Sequence, residues 1–221
     1  YYRDLVENLG FTKVVDFVSS YVNPQKFQLP SKVRKAAEIA QKRGTFRVLD
    51  FKNKRNLKQW AGRIGEAYNK AFVNNWEYYP LSQREIDFVV GNVMTIVDPD
   101  LIKIIVKNDE VVGFVFPFPD VSAAMQKNRG KLGPLAILRL LLEIRRTNWI
   151  SFNGVGILPE YQGLGGNAIM YAELEKAMHK NSQFIHSELT QVAESAVQMR
   201  KDLKNLGVSF YKNHRVYERK I

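Results

Sequence analysis

Residues 149–180 constrain this chain more than any other segment. An apolar run over 149–158 reads as a buried strand. It meets Pro159, enters a turn holding Gly163, Gly165 and Gly166, and continues as a helical pattern over about 168–180. Strand, glycine turn and helix start together make an anion cradle. Glycines let the backbone approach a ligand closely, and the first free N–H groups of the helix point at it. Pyrophosphate is the usual guest of such a cradle.

Two common phosphate loops do not fit. No Lys-Ser/Thr pair follows the glycines, so this is not a Walker A loop. The spacing is not G-x-G-x-x-G, and no repeated βαβ units surround it. The pattern Ile157-x-Pro159-x-Tyr161-Gln162-Gly163-x-Gly165-x-Asn167 resembles the pyrophosphate loop of the GNAT acyl-CoA N-acyltransferases. Only Asn167 departs, standing where that family has Gly or Ala. An Asn side chain there is expected to crowd the phosphates.

The element order carries the resemblance further. A short strand at 46–51 precedes a helix marked by Leu57, Trp60, Ile64, Tyr68 and Phe72. Ser82 and Glu85 form a capping box that opens a second helix running to about 97. Strands at 101–106 and 111–116 make a hairpin that Pro117 and Pro119 are expected to end. A short helix near 120–128, a loop at 129–134 and a helix at 135–146 form an insertion before the 149–158 strand. A strand at 183–189, a helix marked by Val192, Ala196, Met199, Leu203 and Leu206, a stop at Gly207 and a strand at 208–219 complete the chain. The order β-α-α-β-β-(insertion)-β-α-β-α-β is that of the GNAT family. It implies an α/β domain over 45–221, with a twisted, largely antiparallel mixed sheet flanked by helices.

The first 44 residues fall outside that count. A helix over 1–9, a stop at Gly10 and a strand over 11–22 repeat the Asn205-Leu206-Gly207 pattern as Asn8-Leu9-Gly10. Residues 1–22 therefore read as the tail of an upstream GNAT-like domain, its strand seeking a partner on the main sheet or on another molecule. Residues 23–44 read as a linker and connecting helix.

Composition narrows the chemistry. The 221 residues are 45% hydrophobic, enough for a full core. There is no cysteine, so disulfides, thiolate metal sites and a Cys nucleophile are excluded. No apolar run approaches the ~18 residues of a membrane span. With no visible signal peptide, the expectation is a cytoplasmic protein without a membrane partner. The net charge of +11 favours anionic partners such as coenzyme A. The basic residues are too dispersed for a dedicated nucleic-acid face. His179, His186 and His214 are too scattered for a metal site.

The resemblance implies specific roles. Acetyl-CoA or another acyl-CoA is the expected co-substrate, and a primary amine the acceptor. Backbone groups of Val155, Gly156, Ile157 and Leu158 would pair with the pantetheine arm, and Ile157 or Leu158 would offer a free N–H to the oxyanion. The loop Gln162, Gly163, Leu164, Gly165, Gly166 and Asn167 would hold the pyrophosphate. The family's usual acid, a Tyr, falls on Leu203, and its usual Asn on Ala196. Tyr211 or Tyr217 are the substitutes in sequence. Glu188 is the expected base. Trp76, Glu77, Tyr78 and Tyr79 would shape the acceptor pocket. Two other readings remain open: a non-catalytic acyl-CoA sensor or scaffold, and a Fem-type aminoacyl-tRNA-dependent transferase.

Overall fold

The computed structural model describes residues 1–131 and 133–220. Leu132, in the expected loop, and Ile221, at the end of the expected domain, lie outside the described residues. In chain order the elements are α1 (Tyr2–Asn8), β1 (Thr12–Val22), α2 (Ser31–Arg43), β2 (Arg47–Leu49), α3 (Lys54–Gln59), α4 (Ala61–Phe72), α5 (Gln83–Ile96), β3 (Lys103–Lys107), β4 (Glu110–Pro119), α6 (Ser122–Lys127), α7 (Pro134–Arg146), β5 (Trp149–Ile157), α8 (Gly166–Lys180), β6 (His186–Ala193), α9 (Val197–Asn205) and β7 (Ser209–Glu218).

All seven strands form one sheet, ordered β2-β3-β4-β5-β6-β1-β7. Every recorded pairing is antiparallel except β5 with β6. One core joins α2, α8 and α9 to the sheet through Ala40, Ile169, Met170, Leu203 and Leu206. A second holds α3, α4 and α5 on the other face through Leu57, Ala67, Phe114 and Leu158. The Ser82–Glu85 capping box is formed as the sequence implies.

Four boundaries differ from expectation. The helix through Leu57 and Phe72 breaks at Trp60, which closes α3 and opens α4. Pro117 and Pro119 do not end β4 but lie within it. Beyond Val115 that strand has lost β3 and pairs with β5 alone, so one side needs no N–H donor. The strand at 183–189 begins only at His186, because Gln183 is used to cap α7, donating to Ile144 O at 3.2 Å and Thr147 O at 3.3 Å. Val192 belongs to β6 rather than to the following helix, since it pairs with Val18 of β1.

Residues 23–44 are built into the fold. The Gln25 amide donates to Met178 O and Phe184 O, both at 2.9 Å, capping the end of α8. Glu175, buried in α8, accepts from Leu29 N at 2.6 Å and from Arg34 at 3.0 Å.

The β1–β7 ladder has a local two-fold symmetry. The spacing that takes Gly10 to Gly207 also takes Thr12 to Ser209 and Tyr21 to Glu218. Applied to the register, it maps Thr12↔Glu218 onto Tyr21↔Ser209, Lys13↔Tyr217 onto Ser20↔Phe210, and Asp16↔Arg215 onto Val18↔Asn213. Phe17↔His214 maps onto itself. Val14 bulges from β1 where its counterpart Tyr211 bulges from β7. Gly10 (φ 81°) and Gly207 (φ 71°) stop the preceding helices in the same left-handed conformation.

Candidate active site

The site begins where two parallel strands part. β5 and β6 pair only from Trp149↔His186 to Phe152↔Leu189. Past that point β5 bulges at Asn153 and Gly154 against β4, and β6 bulges at Thr190 and Gln191 against β1. Gln191 takes φ 51°. Two bulges at one level turn the strands apart. The Thr190 hydroxyl lies 3.1 Å from both Phe152 O and Asn153 Oδ1 and ties the fork together. The gap opens into a cleft of about 680 Å³.

One wall is the backbone of β5. The Leu158 N–H donates to Val112 O at 2.9 Å, so it is not the free oxyanion donor the sequence allowed. Strand alternation then turns Ile157 away from β4. The Gln162 amide confirms this by donating to Ile157 O at 3.2 Å from the open side. Ile157 N–H and Val155 N–H are therefore the β5 donors that face the gap. Gly156 is needed where it stands: a Cβ there would lie 2.6 Å from the Phe114 ring and 3.1 Å from Ala71.

The glycine loop lies between Gln162 and Asn167, which line the cleft, while Gly163, Leu164, Gly165 and Gly166 are outside its lining. Gly163 (φ 74°) and Gly165 (φ 91°) are both left-handed, and Gly165 is the residue before α8. Among the described residues, the amides of Gly163, Leu164 and Gly165 have no recorded backbone acceptor. With the first N–H groups of α8 they lie together at one helix start. Leu164 is 48% exposed. The loop rests on α2, since a Cβ on Gly165 would meet Ala40 Cβ at 2.7 Å. Asn167, expected to crowd the phosphates, has its side chain engaged within the protein. Its side-chain amide is turned to Asp202 of α9 at 2.7 Å.

Three of the four expected acceptor residues, Trp76, Glu77 and Tyr78, line the same cleft. Tyr79 does not, and is 83% exposed. Asn69 holds the loop by accepting from Tyr78 Oη at 2.5 Å and Leu81 N at 2.8 Å. Trp76 meets Phe17 of β1 edge-on, with ring centroids 6.0 Å apart.

Other expected residues lie elsewhere. Glu188 stands outside the cleft lining, its carboxylate bound to Lys212 Nζ at 3.1 Å. Tyr211 and Tyr217 are on β7, away from the cleft; Tyr217 Oη donates to Glu7 at 3.2 Å, and Tyr211 meets Tyr21 edge-on. Leu203, at the family's acid position, is fully buried in the core. His186 stacks on Trp149 and bonds Tyr21 Oη at 2.8 Å. No group of three or more His, Cys, Asp or Glu side chains placed to hold a metal occurs among the described residues.

Sequence reasoning missed Tyr171. It lines the cleft from α8, and among the described residues its hydroxyl reaches only Met199 Sδ, at 3.9 Å. Burial, and to a lesser degree Asp202, push its pKa well above the ordinary tyrosine value. It stays protonated through neutral pH. The signal was there: Asn167 and Tyr171 are one helical turn apart and share a face with Met170.

The structure resembles solved GNAT proteins throughout its length. A GCN5-related N-acetyltransferase from Sphaerobacter thermophilus superposes with a TM-score of 0.60 at 12% identity, over 98% of this chain and 55% of that one. The chain has the GNAT fold. No family model matches the sequence. Protein YghO of Escherichia coli is 21% identical across 100% of this chain. A bacterial ceramide synthase of Caulobacter vibrioides is 25% identical across 98% of it. The chain spans 57% of the length of each of these relatives.

Proposed function

We propose that this chain is an acyl-CoA-dependent N-acyltransferase. One observation carries the reading: a single cleft runs from Gln162 and Asn167, which flank the glycine loop, past the open edge of β5, to the Trp76–Tyr78 loop. The loop amides would take the pyrophosphate and Ile157 N–H the thioester oxygen. The acceptor would enter between Trp76 and Tyr78. A neutral amine attacks the thioester carbon, the C–S bond breaks, and the amide forms. The thiolate leaves, and Tyr171, which lines the cleft, would return a proton to it. The proton lost by the amine goes to a carboxylate. Glu77 and Asp202 both line the cleft; Asp202 already accepts from Asn167 and Gln198, which leaves Glu77, with Glu188, tied to Lys212, as the alternative.

The acyl group is proposed to be longer than acetyl. Beneath the fork an apolar recess of about 60 Å³ shares Phe152, Val155, Tyr171 and Leu189 with the cleft and extends to Leu174 and Met178. A water needs ~10–15 Å³ of such space, so the recess takes about four to six atoms of a chain. The relative named a ceramide synthase supports N-acylation with such a group.

Acyl-CoA turnover against a panel of primary amines tests the activity, with calorimetry testing binding alone. Binding without turnover on any amine favours a non-catalytic sensor, the reading that buried Leu203 supports.

A further inference from the structure

We propose that the outer edge of β7 and the apolar face of α1 form one docking surface. Its occupant is a second GNAT-like half, the one whose closing helix–strand unit is α1–β1. The inference rests on the fold and not on the transferase reading.

The ladder symmetry supplies the partner's geometry. β1 lies between β6 and β7, whereas β7 is the edge of the sheet. The operation that exchanges β1 and β7 therefore has no counterpart for β6 on the far side of β7. β6 meets β1 at Phe17, Val18, Ser20 and Tyr21. The equivalent positions on β7 are His214, Arg215, Tyr217 and Glu218. A β6-like strand docked there, antiparallel to β7, would satisfy the open backbone row that an edge strand leaves.

The helices give the same answer independently. Met199, Leu203 and Leu206 of α9 face the core of this half, with Leu203 at 0% and Leu206 at 7% exposure. Their counterparts on α1 are Tyr2, Val6 and Leu9. No residue of α1 is buried, and Tyr2 and Leu9 are 72% and 62% exposed. α1 thus carries a core-facing stripe at positions i, i+4 and i+7 without a core. A half built like this one supplies that core, because it lacks the α9-like helix that α1 replaces. A second copy of this chain does not fit. Its β6 edge is already covered by its own β1, and its α9 already fills its own core.

The relatives leave room for such a half, since the matched region is 57% of each. The joined sheet would run β2-β3-β4-β5-β6-β1-β7 and continue directly into the partner's β6-like strand.

Hydrogen exchange tests this on the full-length polypeptide that carries the chain, compared with the 221-residue chain alone. The amides on the outer edge of β7 between His214 and Glu218, and those of α1, are expected to exchange at least about tenfold more slowly in the full-length protein, which stays monomeric. Leu9→Asp should abolish that protection there, while the melting temperature of the 221-residue chain stays at the parent value. Equal exchange in the two proteins overturns the proposal. So does protection that appears only in a dimer of identical chains, and so does protection that survives Leu9→Asp.

Discussion

Asn167 donates to Asp202 across the mouth of the cleft, joining the first turn of α8 to α9. This bond occupies the one side chain that departs from the expected loop pattern, and it leaves the loop amides clear. Asn167→Ala is expected to loosen α9 and cost about 1–2 kcal/mol, the range for a hydrogen bond to a charged group that is partly solvated. Urea denaturation measures this. Asp202→Asn should cost less, since the amide can still accept.

The glycine loop offers a sharper test at Leu164 than at Gly165. Gly165→Glu would strain a left-handed residue and drive its Cβ into Ala40, so lost binding there reports unfolding as well as charge. Leu164 is half exposed. Leu164→Glu should keep the melting temperature and weaken acyl-CoA binding about tenfold or more by calorimetry, because it sets a carboxylate beside the proposed phosphate position. Unchanged affinity would remove the loop from the site.

Tyr171→Phe is expected to lower kcat by about 10²-fold if its hydroxyl protonates the thiolate. Tyr211→Phe and Tyr217→Phe, on the far side of the sheet, should leave it unchanged. Because burial raises the Tyr171 pKa, the alkaline limb of kcat/KM should lie above about pH 10, beyond the ordinary tyrosine value. A falling limb near pH 8 would point to another acid.

Leu174→Trp fills the recess below the fork. The ratio of kcat/KM for octanoyl-CoA to that for acetyl-CoA should drop about tenfold, which is 1.4 kcal/mol of discrimination. A parent enzyme that strongly prefers acetyl-CoA would leave the recess without a role.

Arg215 brackets Asp16 with two hydrogen bonds, Nε at 2.8 Å and Nη2 at 2.9 Å. That guanidinium, helped by Asn213 and Lys13, holds the Asp16 carboxyl far below its usual range. A depressed folded-state pKa contributes stability above the unfolded value of about 3.9, and that stability fades as pH falls below it. Asp16→Asn should therefore destabilise the protein at pH 7, and the gap between mutant and parent should narrow from about pH 5 downward. Melting curves across pH 3–7 measure it.

The glycine loop, the capping box and the element order were legible because each is a local signal. Gly163, Gly165 and the Ser82–Glu85 pair need only their neighbours in sequence. The positions proposed above for acid and base were not legible, because they depend on which residues face the fork. Tyr211 and Tyr217 looked available until β1 placed them on the far edge. Tyr171 looked like one more apolar helix position until the fork opened beside it. Pro117 looked like a strand end because nothing in the sequence says that β3 begins only at Lys103, opposite Val115, leaving that side of β4 beyond Val115 without a hydrogen-bonding neighbour. The echo of Asn8-Leu9-Gly10-Phe11 in Asn205-Leu206-Gly207-Val208 was visible as four weak positions, and only the strand register gave it geometric content.

The place of β1 also sets a timetable for synthesis. Its hydrogen-bonded neighbours are β6 and β7, which the ribosome makes roughly 170 and 200 residues later. At ~5–20 residues per second, residues 12–22 wait roughly 10–40 s with both edges open. Until then Val15, Phe17 and Val18 form an apolar strand with no sheet to join. The nascent chain should need a chaperone most in that interval, and a ribosome pause between α8 and β7 would lengthen the exposure without changing any contact in the finished fold.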